Sequence, residues 1–122
     1  MSTFIEINDT RYPAVVNTKL EDRYWNNREV KLIHISGMTA QEAAELFVNN
    51  AAWAAIEIET VVHTSLNENG ETIYESSQEE IVTLNNEYSI AGEIVDHRDG
   101  TITVKMGKPT AEELLQLFEE VI

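Results

Sequence analysis

Cysteine is absent from the 122-residue chain, so no disulfide, thiolate nucleophile or cysteine-bound zinc can form. Positive charge is scarce. Eight Lys and Arg stand against 22 Asp and Glu, a formal net charge of −14. Coulomb repulsion at that charge opposes encounter with polymeric nucleic acid or an anionic membrane. A small anion is still allowed, because two or three arginines can hold it locally while salt screens the outer acids. No apolar stretch approaches the roughly 20 residues that span a bilayer. The opening MSTFIEINDT has neither the basic start nor the apolar run of a signal peptide, so a cytoplasmic protein is expected. Repeats, low-complexity segments and linkers are missing too, and residues 1–122 are expected to form a single domain.

What the chain does have is alternation. A composition of 43% apolar and 25% charged residues is that of an ordinary globular fold, and period-two patterning dominates it. TFIEI and RYPAVV flank NDT as an opening hairpin, and VKLIHI reads as a strand. WAAIEIETVVHTSL reads as a long strand with Ile56 and Ile58 on one face and Glu57 and Glu59 on the other, ending at the turn signal NENG. ETIYES and EEIVTL return as two shorter, more exposed strands. YSIAGEIV and TITVKM pair across DHRDG, where Gly100 suits a left-handed turn position.

Two segments switch to helical spacing, each behind a capping box: Thr39 with Glu42, and Thr110 with Glu113. Leu46, Phe47, Leu114 and Phe118 are expected to join Ile56 and Ile58 in the core. The expected fold class is α+β, a mostly antiparallel sheet of six to eight strands with two short helices packed on it.

No nucleophile elbow, phosphate-binding glycine loop or HExxH helix occurs, so neither enzyme activity nor a metal or other cofactor is expected. The histidines at 34, 63 and 97 are scattered, without metal-ligand spacing. Two stretches stand out. In YWNNREVKLI, Tyr24 and Trp25 precede Arg28 closely enough to join a stacking surface to a guanidinium fork. As plain structure, Trp25 would be a core residue and Arg28 a surface partner of Glu29 or Asp22. In DHRDG, Arg98 sits in a turn. There the plain alternative is a hairpin tip whose aspartates cap backbone amides and neutralise the arginine.

RYWNNREVKLIHI, AAELFVNNAAWAAIEIE and YSIAGEIVDHRDGTITVKMGKPTAEELL together resemble a family of small proteins from bacteriophages and prophages of Firmicutes. The pattern spans nearly the whole chain, and it is similar to the phage Thoeris anti-defence sponge proteins. That resemblance implies a non-enzymatic homo-oligomer, dimeric or larger, in the infected host cell. It would sequester a cyclic ADP-ribose isomer made by TIR-domain immune enzymes without cleaving it. It also implies a pocket in which Arg28 and Arg98 clamp the pyrophosphate beside an aromatic plane. Trp25, Tyr88 and Asn86 are the expected companions, with Tyr74 and Asn85 as alternates. A tail or baseplate accessory protein of the virion is the alternative from another class.

Overall fold

Asn8 and Asp9 both take positive φ, 53° and 61°, and close the first hairpin. Short polar side chains tolerate this left-handed region, which matches the twist of paired strands. The computed structural model describes residues 2–121, and the side chains of all of these except 19, 20 and 117–121. The elements are β1 (Ser2–Ile7), β2 (Thr10–Asp22), β3 (Arg28–Ser36), α1 (Ala40–Leu46), β4 (Trp53–Leu66), β5 (Thr72–Leu84), β6 (Ile90–Asp96), β7 (Thr101–Gly107) and α2 (Ala111–Val121). One seven-stranded sheet runs β5-β4-β1-β2-β3-β7-β6, antiparallel at each pairing. The fold is therefore α+β and mostly antiparallel, as the alternation implied.

Strand alternation puts Ile5, Ile7, Ala14, Ile33, Ile35, Ile102, Val104 and Met106 on one face, where they form the core with Trp53 and Tyr88. Segment 38–47 covers them with Met38, Ala43 and Phe47, and the Phe47 and Trp53 rings meet edge to face at 6.3 Å. Thr39 caps α1 by accepting from the Glu42 amide at 3.1 Å, while its hydroxyl donates to the Glu42 carboxylate. Buried Trp53 donates its indole N–H to the Tyr88 carbonyl at 3.1 Å, so its polar atom is satisfied.

Three expectations need correction. Residues 72–84 form one continuous strand, not two, because a strand wet on both faces needs no alternation to persist. Ile58 is only half-buried, since β1 ends opposite it at Ser2. Leu114 is exposed, as is Leu115, so the first turns of α2 do not press an apolar stripe onto the sheet. The Phe118 side chain lies outside the described residues. The Thr110 capping box does form: Glu113 N donates to Thr110 Oγ1 at 3.2 Å, and Thr110 N donates to Glu113 Oε1 at 3.0 Å.

Candidate functional site

Arg28 sits where β3 begins, paired with Asp22 across a bulge in β2. Its guanidinium is buried, and its hydrogen-bonding capacity is turned inward. Nε donates to the Trp25 carbonyl (3.2 Å), Nη1 donates to the Lys108 carbonyl (3.1 Å), and Nη1 also meets Glu113 Oε1 at 2.9 Å. The indole of Trp25 lies 4.4 Å from the guanidinium carbon. Glu113 is held below the ordinary glutamate range by the Thr110 amide first and by Arg28 next. Arg28 thus ties α2 to the sheet. Its ion-pair partner is Glu113 rather than Glu29 or Asp22, because the bulge and the Lys108 carbonyl turn it toward the helix start.

Arg98 lies elsewhere. It occupies the β6–β7 turn with φ 59°, its backbone amide donating to Asp96 Oδ1 at 2.9 Å. Asp99 accepts from the Thr101 amide at 3.0 Å, and the Thr101 hydroxyl and amide hold its carboxyl below the usual aspartate range. The aspartates fix the turn backbone, and the Arg98 side chain has no salt-bridge partner among the described residues. Ser36 pairs with Thr101 at one end of the β3–β7 ladder and Val30 with Gly107 at the other. Six residue steps at about 3.3 Å separate those ends, roughly 20 Å. Arg28 and Arg98 flank that ladder at opposite ends, so a single chain does not bring them onto one ligand.

Tyr88 is buried on the core face, with Lys31 Nζ 4.6 Å and Lys108 Nζ 5.2 Å from its ring centre. Burial first, and the charge of Glu29 next, raise its hydroxyl above the ordinary tyrosine value. Asn85, also buried, accepts from Lys31 at 2.5 Å and donates to the Thr83 carbonyl at 3.2 Å. Asn86 is exposed beside a separate recess of about 250 Å³ near the first hairpin. Tyr74 is exposed far out on β5. Of the expected group, Trp25 and Arg28 are in direct contact, and the Tyr88 amide donates to the Asn85 carbonyl at 3.0 Å.

The sheet face opposite the core carries a larger recess, about 540 Å³, lined by Asp22, Tyr24, Trp25, Ala91, Gly92, Glu93 and Lys105. Lys105 Nζ lies 2.7 Å from Asp22 Oδ2 and 3.3 Å from Glu93 Oε1. The hydrogen bond to Asp22 keeps the ammonium protonated above the ordinary lysine range. Gly92 is needed here. A Cβ on it would come within 2.9 Å of the Trp25 ring and 3.0 Å of the Lys105 carbonyl. Tyr24 and Trp25 were legible as an aromatic pair. Lys105, Asp22 and Glu93 were not, since only the fold gathers them.

The histidines are less scattered than their spacing suggested. His34 Nδ1 and His97 Nε2 share the Thr103 hydroxyl, at 2.9 and 2.7 Å, because the register sets His34 opposite Thr103.

A third feature is an arm. β1 pairs with β4 over Trp53–Ile58, and beyond it β4 and β5 pair with each other as far as Leu66 and Thr72. This two-stranded ribbon exposes Val62, Leu66, Ile73 and Tyr74. β5, the sheet edge, is exposed along all 13 residues and keeps an unbroken register with β4. Among the described residues, no helix is long and apolar enough to cross a membrane. No family model matches the chain, and no curated protein or solved structure matches it either.

Proposed function

We propose that the protein is a non-enzymatic assembly subunit of a bacteriophage particle, a tail or baseplate accessory protein that joins copies of itself along β5. The phage setting rests on the sequence resemblance. The assembly role rests on one observation: the arm and its open edge. An isolated two-stranded ribbon is marginal in water. Protected edges are short, bulged, or carry proline or charges, lysine above all; TIYESSQEEIVTL is long, regular and free of lysine and proline, its charges being Glu75, Glu79 and Glu80. A second copy of this chain is the occupant whose chemistry fits. In a two-fold antiparallel pairing centred on Gln78, Tyr74 comes opposite Val82 of the second copy. Glu75, Glu79 and Glu80 then face Ile81, Ser77 and Ser76, so no glutamate opposes another.

Light scattering of the full chain at micromolar concentration tests this. A dimer or larger species is expected, reduced to monomer by Tyr74→Lys with Val82→Lys. A wild-type monomer would overturn the reading.

Sequestration of a cyclic nucleotide signal is a second proposal, carried by the resemblance and by the Arg98 guanidinium, which has no salt-bridge partner among the described residues. Arg28 does not support it, being spent on Glu113 and two carbonyls. The protein would be mixed with cyclic ADP-ribose isomers, filtered and denatured. Release of intact ligand supports this role, and absence of retention sinks it.

A further inference from the structure

Two β-bulges, on opposite flanks of the β3–β7 pair, aim one carboxylate each at the same ammonium. One lies in β2 between Lys19 and Asp22, the other in β6 between Ala91 and Ile94. Bulges re-aim side chains, and they recur beside working sites. Here the first presents Asp22 and the second Glu93, both to Lys105. Asp22 is 2% exposed, and its other oxygen accepts from the Tyr24 amide at 3.1 Å. The acid therefore locks both the lysine and the aromatic loop.

That loop is stiff. Trp25 N donates to the Asp22 carbonyl at 3.0 Å and Arg28 N to the Trp25 carbonyl at 3.2 Å, with Asn26 and Asn27 both at positive φ. It carries Tyr24, 86% exposed, whose ring has the Arg23 guanidinium 5.1 Å from its centre. A large aromatic ring held over a polar recess of about 540 Å³ is the arrangement of a small-ligand site, an apolar platform with a few converging polar groups.

We infer that this recess binds a neutral saccharide ring, stacked on Tyr24 and hydrogen-bonded to Glu93 and Lys105. Charge selects among ligand classes. Two carboxylates stand against the Lys105 ammonium and the Arg23 guanidinium at Tyr24, so the recess carries no net positive charge to draw a phosphate or carboxylate ligand into a chain of net charge −14. The same ammonium, fixed between the acids, takes up the charge a cationic ligand would need. A sugar hydroxyl suits what is left, since it donates to a carboxylate and accepts from an ammonium at once. The C–H face of the ring meets the aromatic platform, where area is buried without desolvating a charge. Glu93 is the exposed acceptor and Lys105 the donor at the rim, while Asp22 is a positioning residue that keeps Lys105 in place. Trp25 forms the wall.

The inference is independent of the β5 assembly, and one set of samples separates them. Saturation-transfer NMR on the full chain would be run with glucose, galactose, N-acetylglucosamine and maltose, with AMP and tetramethylammonium as comparators. Transfer to at least one sugar is expected, together with a shift of the Trp25 indole resonance. Tyr24→Ala should weaken binding roughly tenfold, the loss of one stacked contact, and Glu93→Gln roughly fivefold, the loss of one charge-assisted bond. Tyr74→Ala, out on the arm, should leave it unchanged. Tyr24 is exposed, so its variant tests binding without threatening the fold. The inference is overturned if no sugar receives transfer, if AMP or tetramethylammonium binds in place of every sugar, or if Tyr24→Ala binds as tightly as wild type. Light scattering on the same samples reports assembly separately.

Discussion

Arg28 and Glu113 form an ion pair of 2.9 Å that joins the first residue of β3 to the first turn of α2. The arginine is buried and the glutamate partly exposed, so the pair has an inner, hydrogen-bonded half and an outer, hydrated one. Removing the inner half costs more, because it strands the Lys108 carbonyl and leaves the Trp25 carbonyl to the backbone amide of residue 28 and the Glu113 carboxylate to Thr110.

Arg28→Ala should therefore destabilise the fold by about 3 kcal/mol, with a fall in melting temperature of roughly 10 °C. Glu113→Gln keeps the capping geometry and should cost clearly less, about 1 kcal/mol. Thermal melts of the two variants followed by circular dichroism compare them directly. Equal melting temperatures for Arg28→Ala and wild type would mean that the guanidinium does not tie α2 to the sheet.

Gly107 is buried under the same assembly. A Cβ there would meet Arg28 Cδ at 2.7 Å and the Trp25 ring at 2.9 Å. Gly107→Ala must push either group outward and should cost about 1–3 kcal/mol by overpacking. Chemical denaturation reads the loss. In the Arg28→Ala background the same substitution should cost measurably less, since one of the two clashing atoms is gone.

Acid should loosen α2 before it unfolds the sheet. The Glu113 carboxyl is held below its ordinary value by the Thr110 amide and Arg28, so its folded pKa lies under its unfolded one. A depressed carboxyl contributes stability that is present above its unfolded pKa and lost as pH falls through its folded value. The expected window is below about pH 4. Near-ultraviolet circular dichroism of Trp25 against pH should show this step in wild type and not in Glu113→Gln. Lys105 works in the opposite sense. Its pKa is raised by Asp22, so its contribution holds through neutral pH and fades only in strong base.

Trp53→Phe should keep the ring packing against Phe47 and lose the bond to the Tyr88 carbonyl. A destabilisation of about 1–3 kcal/mol follows from one unsatisfied buried acceptor and a small cavity. A change under 0.5 kcal/mol in a urea melt would contradict that assignment.

Local chemistry made much of this fold legible. Positive φ at Gly70 and Gly100, 76° and 90°, stands where NENG and DHRDG announced turns. Alternation located the strand Trp53–Leu66, and both capping boxes formed at the threonines that signalled them. The candidate site was legible only in part. Tyr24 and Trp25 advertise an aromatic loop, yet the burial of Arg28 depends on Glu113, a partner that only the tertiary fold brings near. Nothing local says that bulges at two distant strands turn Asp22 and Glu93 toward one lysine. β5 misled for a related reason: a ribbon with no covered face follows hydrogen-bond register, and its sequence is free to look like a break at Ser77 and Gln78.

β2 has a mechanical consequence. β1 pairs with it over Thr10–Pro13, and β3 over Ala14–Asp22, so along its length the strand changes partner between Pro13 and Ala14. At that junction the seven strands are two four-stranded leaves sharing one spine, and Pro13 lends no amide to either. Each leaf is stitched mainly by hairpins between chain neighbours, with β1–β4 and β3–β7 as the long-range seams. A spine of this kind lets one leaf open while the other stays closed. Native-state hydrogen exchange should then sort the amides into two protection classes, those of β1, β4 and β5 and those of β3, β6 and β7, instead of one global unfolding event.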